Sequence, residues 1–445
     1  MIIYLETLGC SRNQVDSEIM LGKLVSCGHS LTDDPILAEV IIVNTCGFIS
    51  TASDEAVDVI LQMVKFKETG KCKKLIATGC LVQRYKDDKN LASSMHEVDA
   101  FLGTGACDHI VDVVEDKIIK PVVFFPDPNK REFQNLLEPR QLSTDFYTYI
   151  KVSEGCNRKC TYCIIPQLRG LQRSRPKHDI CKEAQELISK GVKEIILTAE
   201  NTTDYGLEQQ KGTQFDKFDD VLLSLSETMN DDNTWIRFLY THPKTLTRAI
   251  IQTVKNCQNI CSYYDVPIQH ASSSVLKNMG RPYTNKDLYS LFKTIRQIDP
   301  LAVLRTTIIV GFPGESEEDF NILMQFVKDT RFDHLGVFTY SDSEDLKSHG
   351  LKNHVPKEVA EQRHDLIMAA QTKISLTINE QYVGKTFKVL IEENPEPGLY
   401  IGRTMFQAPE VDGVTFIYEK GLEINTFVNV RITDGFEYDI AGVIA

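Results

Sequence analysis

Three cysteines lie close together in the middle of the chain, in the segment Glu154–Cys163. Cys156, Cys160 and Cys163 have C-x3-C-x2-C spacing, and no further cysteine follows before Cys181. A cubane iron–sulfur cluster needs four ligands, so three thiolates leave one of its irons open to a substrate. The spacing therefore favours a catalytic cluster over a structural metal site.

Two simpler interpretations stay open for these cysteines. A zinc knuckle needs a fourth Cys or His ligand, and no suitable one lies within the next dozen residues. Three unrelated core thiols fit less well still, because Gly155, the charged intervening residues and Pro166 indicate a loop, whereas free cysteines prefer buried positions.

An aromatic residue, Tyr162, precedes the last cysteine, and with it the motif resembles the signature of the radical S-adenosylmethionine (SAM) enzymes. The flanking segments narrow this to the methylthiotransferases; they are Ser153–Cys156, Cys163–Pro166, Arg169-Gly170 and Arg173–Pro176. The resemblance implies that Cys156, Cys160 and Cys163 hold a catalytic 4Fe-4S cluster. It also implies that this cluster binds SAM, with Tyr162 beside the cofactor.

Length and composition set the broad class. A chain of 445 residues with 42% hydrophobic residues predicts about three domains with sizeable cores. The start lacks a basic n-region and no stretch approaches 18 apolar residues, so we expect a cytosolic protein without membrane contact. In that reducing compartment the twelve cysteines are better metal ligands than disulfide partners. The net charge of −13 argues against strong nucleic-acid binding and favours a basic protein partner.

The first predicted domain, about residues 1–140, alternates strand-like and helical patterns. The strand-like runs are Ile2–Leu5, Val40–Val43 and Lys74–Ala77, and the helical patterns include Ser17–Leu24 and Ser53–Val64. This alternation predicts an α/β fold with a parallel sheet covered on both faces. Prolines and charged residues in 125–144 indicate a linker after it.

One cysteine follows each of these three strands: Cys10, Cys46 and Cys80. Loops after the carboxyl ends of parallel strands gather at one edge of a sheet, so the three thiols can converge. They can equally be small buried residues in tight turns. The segments Leu8–Asn13, Asp16–Glu18, Asn44–Ile49 and Thr78–Leu81 resemble those that hold an auxiliary 4Fe-4S cluster in methylthiotransferases. Cys27, Cys72 and Cys107 fit no such pattern and are expected to be structural or surface thiols.

The second predicted domain, about residues 145–375, has six strand candidates: Tyr147–Val152, Glu194–Leu197, Trp235–Leu239, Ser262–Val266, Leu301–Val310 and His334–Thr339. Six strand–helix units fit a partial, TIM-like (βα)6 barrel with its active site at the strands' carboxyl ends.

The run Thr306–Phe320 joins a strand to a helix through a glycine turn. The resemblance places Gly311 and Glu315 of this run in the SAM pocket. His270 would more often be a hydrogen-bonded loop histidine than a catalyst.

The segment Ala199–Gly206 separates the branches of the family. Thr202-Thr203, Tyr205 and Gly206 resemble the members that act on ribosomal protein S-twelve, as does Leu335–Ser341. Members that modify tRNA usually have a Gly-Gln-Asn-Val type of sequence here. Glu200-Asn201 departs from the Gln-Asp usual before the threonines, so the roles of those two residues are not carried over.

The tail, about residues 376–445, has short β-prone runs typical of a small β-barrel: Phe387–Ile391, Thr415–Tyr418 and Phe427–Ile432. It resembles a TRAM domain, a module that often binds RNA, through Gly402–Thr404 and Ala408–Gly413. Residues 380–445 carry five basic and eleven acidic residues, 5 − 11 = −6, which disfavours phosphate binding and favours a basic ribosomal protein. An acidic surface that only confers solubility remains the alternative.

Taken over the three domains, the resemblance implies a radical SAM methylthiotransferase with two 4Fe-4S clusters and SAM as cofactors. Its substrate would be the β-carbon of an aspartate of ribosomal protein S-twelve, free or in the small subunit. A flavodoxin or ferredoxin would donate electrons. The alternatives are a tRNA adenosine methylthiotransferase and, from another class, a two-cluster electron carrier, for which an open iron would be wasteful.

Overall fold

The computed structural model describes residues 1–117, 122–131, 139–209, 216–229 and 233–445. The helices are α1 Ser11–Ser26, α2 Ser50–Val64, α3 Phe66–Thr69, α4 Cys80–Arg84, α5 Leu91–Ser94, α6 Ile110–Val114, α7 Ile165–Arg169, α8 Lys177–Ser189, α9 Phe218–Thr228, α10 Arg248–Asn256, α11 Ser273–Asn278, α12 Asn285–Ile298, α13 Glu317–Thr330 and α14 Lys357–Glu380. Short 3-10 turns span Thr104–His109, Pro128–Lys130, Thr202–Asp204, Leu207–Gln209 and Lys347–Gly350. Among these helices none is long and apolar enough to cross a membrane.

The strands are β1 Ile2–Thr7, β2 Ser30–Leu31, β3 Val40–Thr45, β4 Lys74–Gly79, β5 Ala100–Leu102, β6 Val122–Phe124, β7 Tyr147–Lys151, β8 Ser153–Glu154, β9 Arg173–Ser174, β10 Glu194–Thr198, β11 Trp235–Phe238, β12 Tyr263–Asp265, β13 Val303–Val310, β14 His334–Thr339, β15 Thr386–Glu396, β16 Leu399–Thr404, β17 Thr415–Tyr418, β18 Phe427–Gly435 and β19 Ile440–Ile444. The predicted α/β architecture with a terminal β-barrel is confirmed.

The N-terminal part is a parallel six-stranded sheet in the order β2-β1-β3-β4-β5-β6. Helices cover both faces: Met20 and Leu24 of α1 pack with Ile110 on one face, and Ala56 and Ile60 of α2 pack on the other. The strands that precede the three candidate cysteines, β1, β3 and β4, are direct neighbours. The sequence pattern missed β2, β5 and β6, which have only two or three residues each.

The central part is a half-open barrel of six parallel strands in two sheets, β7-β10-β11 and β12-β13-β14. Among the described residues a single bridge, Ile236 to Ile260, joins the two sheets. β13 begins at Val303, two residues later than expected, because Ala302 closes a turn onto Asp299 and leaves Leu301 79% exposed. The predicted linker 125–144 includes residues 132–138, which lie outside the described part.

The C-terminal part is a closed barrel in the order β15-β16-β17-β19-β18, and it packs against the amino-terminal ends of the central strands. A fully buried ion network joins the two. Glu194 of β10 accepts from Arg237 of β11 at 2.6 Å and from Arg403 of β16 at 2.6 Å. Asp412, in the loop after β16, accepts from the Tyr263 hydroxyl at 2.6 Å. The small barrel thus closes the floor of the central one and leaves the mouth at the opposite end.

Candidate active site

The six candidate cysteines line one cavity of about 500 Å³. It lies between the loops of the N-terminal sheet and the mouth of the central barrel. We call Cys156, Cys160 and Cys163 the local set, and Cys10, Cys46 and Cys80 the dispersed set. The predicted convergence of three distant cysteines is therefore present in the structure, and the two sets share one chamber.

The dispersed set is brought together by neighbouring strands and by two glycines. Gly9 has a φ of +98°, and a Cβ there would lie 2.7 Å from the Cβ of Cys46. Gly79 has a φ of +99°, and its Cβ would lie 2.5 Å from the carbonyl oxygen of Thr45. Because only glycine avoids both the strained backbone and the collision, these positions let the three loops touch.

Asn13, in the first turn of α1, ties these loops to one another. Its Nδ2 donates to the Leu8 carbonyl at 2.8 Å and to the Thr45 carbonyl at 2.9 Å, one in each of two cysteine-bearing loops. Its Oδ1 lies 3.9 Å from the sulfur of Cys80, at the tight turn where β4 passes directly into α4. The side chain is 1% exposed, so a single buried amide holds all three loops in register.

The local set is held by the peptide around it. The Cys163 N–H donates to the Cys160 carbonyl at 3.3 Å, and the Arg158 N–H points to the Cys156 sulfur at 3.4 Å. The Cys156 N–H donates to the Gly170 carbonyl at 3.1 Å. The motif follows the short strand β8, at the carboxyl end of the barrel's first strand, as the sequence predicted.

Both sets carry thiols that resist ionisation on their own. Burial raises the pKa of Cys156 to about 11 and that of Cys80 to about 12, although Arg169 opposes the shift at Cys80. Metal ligands must be thiolates, so a strongly positive group has to compensate burial. In the described part of the chain no three Cys, His, Asp or Glu side chains are drawn together tightly enough for one ion. Two sets of three thiols around one chamber fit iron–sulfur clusters better than single ions.

Charged residues line the space between the two sets. Arg12 of α1 pairs with Glu200, which follows β10, at 3.0 Å. The Arg12 guanidinium also lies over the Tyr240 ring, 4.7 Å from its centre. Glu200 and Asn201 both line the cavity. The segment that separates the family branches therefore contributes to the chamber wall, opposite the helix that follows Cys10.

His242 also lines the cavity, and the sequence pattern did not single it out. Its Nδ1 accepts from the Lys244 N–H at 3.1 Å, which leaves the proton on Nε2. Among the described residues that buried Nε2 has no hydrogen-bond partner. Burial lowers the pKa of His242 to about 2, so the ring is neutral and its N–H is available to a bound molecule.

The proposed SAM contacts are divided. Tyr162 lines the cavity, and its hydroxyl accepts from Arg281 Nε at 3.0 Å. Gly311 and Glu315 are not among the lining residues. A Cβ on Gly311 would collide with the Cβ of Ala360 in α14, and Glu315 pairs with Arg363 of α14 at 3.1 Å. Both of these residues join β13 to α14 here, and their contact with SAM stays a prediction.

His270 is also absent from the lining, but its role as a hydrogen-bonded loop histidine stays a prediction, because among the described residues its buried Nε2 has no hydrogen-bond partner and lies 4.0 Å from Glu315 Oε1. Its Nδ1 accepts from the Ser272 N–H at 2.9 Å, within its own loop. Sequence reasoning assigned no role to Arg12, Asn13, Arg169 or His242, because single polar residues carry no spacing signal. Arg12 and Asn13 lie in the segment Leu8–Asn13 and Arg169 lies in Arg169-Gly170, and both segments carry the family resemblance.

Three family models match the chain in order. The uncharacterized protein family UPF0004 matches residues 2–103, the radical SAM superfamily matches residues 150–327, and the TRAM domain matches residues 383–444. Among solved structures, the radical SAM methyltransferase TsrM of Kitasatospora setae is 12% identical with a TM-score of 0.56, over 90% of this chain and 80% of that one. The cobalamin-dependent radical enzyme OxsB is 13% identical with a TM-score of 0.51, over 84% and 56%. These two likenesses concern the fold.

Proteins named ribosomal protein uS12 methylthiotransferase RimO are similar along the whole chain. That of Desulfosudis oleivorans is 45% identical over 444 residues, 99% of each chain. That of Clostridioides difficile is 45% identical over 443 residues, 99% of this chain and 98% of its own. That of a Thermoanaerobacter species is 42% identical over 440 residues, 98% of each. At this identity over nearly full length, the chain belongs to the RimO family of radical SAM methylthiotransferases.

Proposed function

We propose that this protein is a radical SAM methylthiotransferase that adds a methylthio group to the β-carbon of an aspartate of ribosomal protein uS12, the S-twelve of the small subunit. The observation that carries the proposal is the single chamber lined by both cysteine sets. Its relatives bear this activity in their names, and those relatives match from end to end. They favour the uS12 branch over the tRNA branch.

In this proposal each cysteine set holds one 4Fe-4S cluster. Cys156, Cys160 and Cys163 would hold the cluster that binds SAM, and Cys10, Cys46 and Cys80 the auxiliary one. When bound, the two clusters and SAM would supply the electron, the radical, the sulfur and the methyl group that no side chain can provide. Three thiolates per cluster would leave one iron of each without a protein ligand.

The chain's own part is to bind, orient and exclude water. Phe48, after β3, and Phe338, on β14, both line the cavity and are 37% and 54% exposed, which makes an apolar entrance between the domains. A substrate loop that enters between them would displace water from the apolar wall. The neutral His242 N–H and the Arg12–Glu200 pair are among the polar groups of the wall that can then orient it.

The C-terminal barrel supports a protein substrate. Its net charge over residues 380–445 is −6, which suits a basic ribosomal protein better than RNA phosphates. Val411, in the loop after β16, also lines the cavity, which therefore extends through the central barrel to its floor. The proposed domain limits are 1–140, 145–375 and 376–445, and the last of them falls within the final turns of α14.

Electrons and location complete the proposal. The side chains of this protein offer no low-potential electron source, so an external donor such as a flavodoxin or a ferredoxin would deliver electrons. A reducing compartment keeps twelve cysteines as thiols, and we place the reaction in the cytoplasm on that ground.

Mass spectrometry on two substrates tests the proposal. Reconstituted protein, SAM and reductant are incubated anaerobically with a peptide from the aspartate-bearing loop of uS12 and, separately, with a purine-modified tRNA. We expect the mass of one methylthio group on the peptide and none on the tRNA.

Modification of the tRNA alone would overturn the substrate and leave the chemistry standing. If the reduced protein cleaves no SAM in either mixture, it is an electron carrier and not an enzyme of this class. Cys27→Ala, at an exposed thiol, is the matched control, and it should leave the yield unchanged.

A further inference from the structure

Arg169 extends from one cysteine set to the other. It is the last residue of α7, the helix that follows the local set, yet its Nη2 lies 3.6 Å from the sulfur of Cys80 in the dispersed set. The same Nη2 donates a short hydrogen bond to the Oδ1 of Asn13, the residue that ties the dispersed loops together. The side chain is 2% exposed, so this contact is formed away from water.

Arg169 belongs to a buried charge network between the two domains. Its Nη1 donates to Asp16 at 2.6 Å and to Glu154 at 3.0 Å. Lys151 contacts the same two carboxylates at 2.6 Å and 2.8 Å, and Arg131 contacts Asp16 at 3.2 Å. Two buried carboxylates thus share three cations. Both carboxylates bind Nη1 of Arg169, which leaves Nη2 directed at the Cys80 sulfur.

We propose that Arg169 is a positioning residue for the auxiliary cluster: it donates to the Cys80 sulfur and raises the cluster's reduction potential. This inference rests on the proposed function, because it requires the dispersed set to hold a 4Fe-4S cluster. Reduction adds a negative charge, and a buried guanidinium beside a ligand sulfur stabilises the more negative state. The hydrogen bond to Asn13 fixes the orientation of the Arg169 guanidinium.

The network also links the ligand loops of both sets. Glu154 lies two residues before Cys156, and Asp16 lies in α1 after Cys10. Arg169 binds both carboxylates with one nitrogen, so the side chain that contacts Cys80 also fixes the strand that leads into the local set. Tuning of the auxiliary cluster and alignment of the two sets therefore depend on one residue.

A redox titration of the auxiliary cluster alone tests this. The full chain with Cys156→Ala, Cys160→Ala and Cys163→Ala is reconstituted anaerobically. The signal of the reduced auxiliary cluster is followed by electron paramagnetic resonance during the titration, which gives the midpoint potential of that cluster. In that background Arg169→Gln should lower the midpoint potential by about 59 mV. For one electron this shift changes the ratio of reduced to oxidised cluster about tenfold. Arg169→Lys, which keeps the charge, should restore part of the shift.

Two further variants separate electrostatics from disruption. Asp16→Asn removes a buried negative charge from the same network and should move the potential upward, opposite to Arg169→Gln. Arg131→Gln removes a cation that contacts Asp16 rather than the Cys80 sulfur, and should shift the potential less than Arg169→Gln. If the substitutions instead disrupt the site, the midpoint potentials of Arg169→Gln and Asp16→Asn should change in the same direction.

Each outcome decides the inference. An unchanged potential in Arg169→Gln, or parallel shifts in Arg169→Gln and Asp16→Asn, overturns it while the cluster itself remains. If Arg169→Gln takes up no iron, the potentials of Arg169→Lys and Asp16→Asn provide the test instead. A potential of Asp16→Asn that does not rise then overturns the inference. If the background protein holds no cluster on Cys10, Cys46 and Cys80, the proposed function fails first and this inference with it.

Discussion

The two cysteine sets line the same chamber but are built in opposite ways. The local set comes from one loop, whose backbone hydrogen bonds lie within the loop, with Gly170, and through Thr161 with Met279 and Ser348. The dispersed set comes from three loops that follow β1, β3 and β4, and Asn13 and two glycines bring those loops into contact. One set is fixed by chain connectivity, whereas the other depends on the packing of a whole sheet.

This difference has a consequence for robustness. Sequence-adjacent ligands stay close even if their domain loosens, because loop closure over a few residues costs little entropy. Ligands from three strands separate as soon as the sheet edge opens. We therefore expect the dispersed set to lose its metal first under mild perturbation, and the variants below test that order.

The largest expected effect is on product formation. Cys160→Ala should abolish SAM cleavage because it removes one of three ligands of the SAM-binding cluster. Cys46→Ala should leave some cleavage but no methylthio product, because only the auxiliary site is damaged. Cleavage is measured as 5′-deoxyadenosine and the product by mass spectrometry. Full product from either variant would contradict the corresponding assignment.

Glu194→Gln should have the next largest effect, on stability alone. It leaves Arg237 buried without its carboxylate and Arg403 paired with Glu392 alone, and breaking such a network costs about 3–5 kcal/mol of unfolding free energy. Both cysteine sets should keep their iron, because the network lies on the floor of the barrel, away from the mouth. Urea unfolding and iron analysis measure the two effects. Loss of iron from the local set would show that its loop is less autonomous than its connectivity suggests.

The same variant has a defined pH dependence. Burial would raise the pKa of Glu194, but the charges of Arg237 and Arg403 outweigh burial and lower it. A lowered pKa in the folded state means that the stabilisation is complete above the unfolded pKa of about 4.3 and is lost as the pH falls through the folded pKa. The difference between wild type and Glu194→Gln should be constant near neutrality and shrink under acid. A difference in stability that grows under acid would contradict a lowered pKa of Glu194 in the folded state.

Asn13→Ala compares the two sets directly. It removes a buried amide that joins three loops, at a cost of about 1–3 kcal/mol, and the dispersed set should lose its iron. Asn157→Ala is the control within the local loop, where Oδ1 accepts from the Gln172 N–H at 3.1 Å, and the local set should keep its iron. Iron content in single-set backgrounds measures both. Equal losses would remove the distinction between the sets.

Arg84→Ala should have the smallest effect. Arg84 joins α4 to Asp345 at 2.6 Å and to the carbonyl of Gly47, next to Cys46, at 2.9 Å. Asp345 is partly exposed, so we expect about 1 kcal/mol or less and slower iron uptake by the dispersed set only. Reconstitution kinetics at low and high salt measure it. A salt-independent defect would point to the carbonyl contact rather than to the ion pair.

The sequence alone determined the local set, the order of the three domains and the fold class. A C-x3-C-x2-C motif needs no tertiary structure because its ligands are near neighbours in the chain. Alternating strand and helix patterns predicted the sheet and the barrel, since burial imposes periods of 2 and 3.6. They missed the shortest strands, where two or three residues leave no period to detect.

Only the tertiary structure decided how the dispersed set meets and what lies around it. Cys10, Cys46 and Cys80 could have been buried turn residues until the direct adjacency of β1, β3 and β4 placed their loops together. Gly311 and Glu315 occupy the predicted turn but contact α14, a partner that no local pattern identifies. Arg169 owes its place to contacts across domains, and His242 owes its place to contacts with Thr203 and Tyr283, which are distant in sequence within the central barrel. Such contacts depend on packing between distant segments, which leaves no periodic trace in the chain.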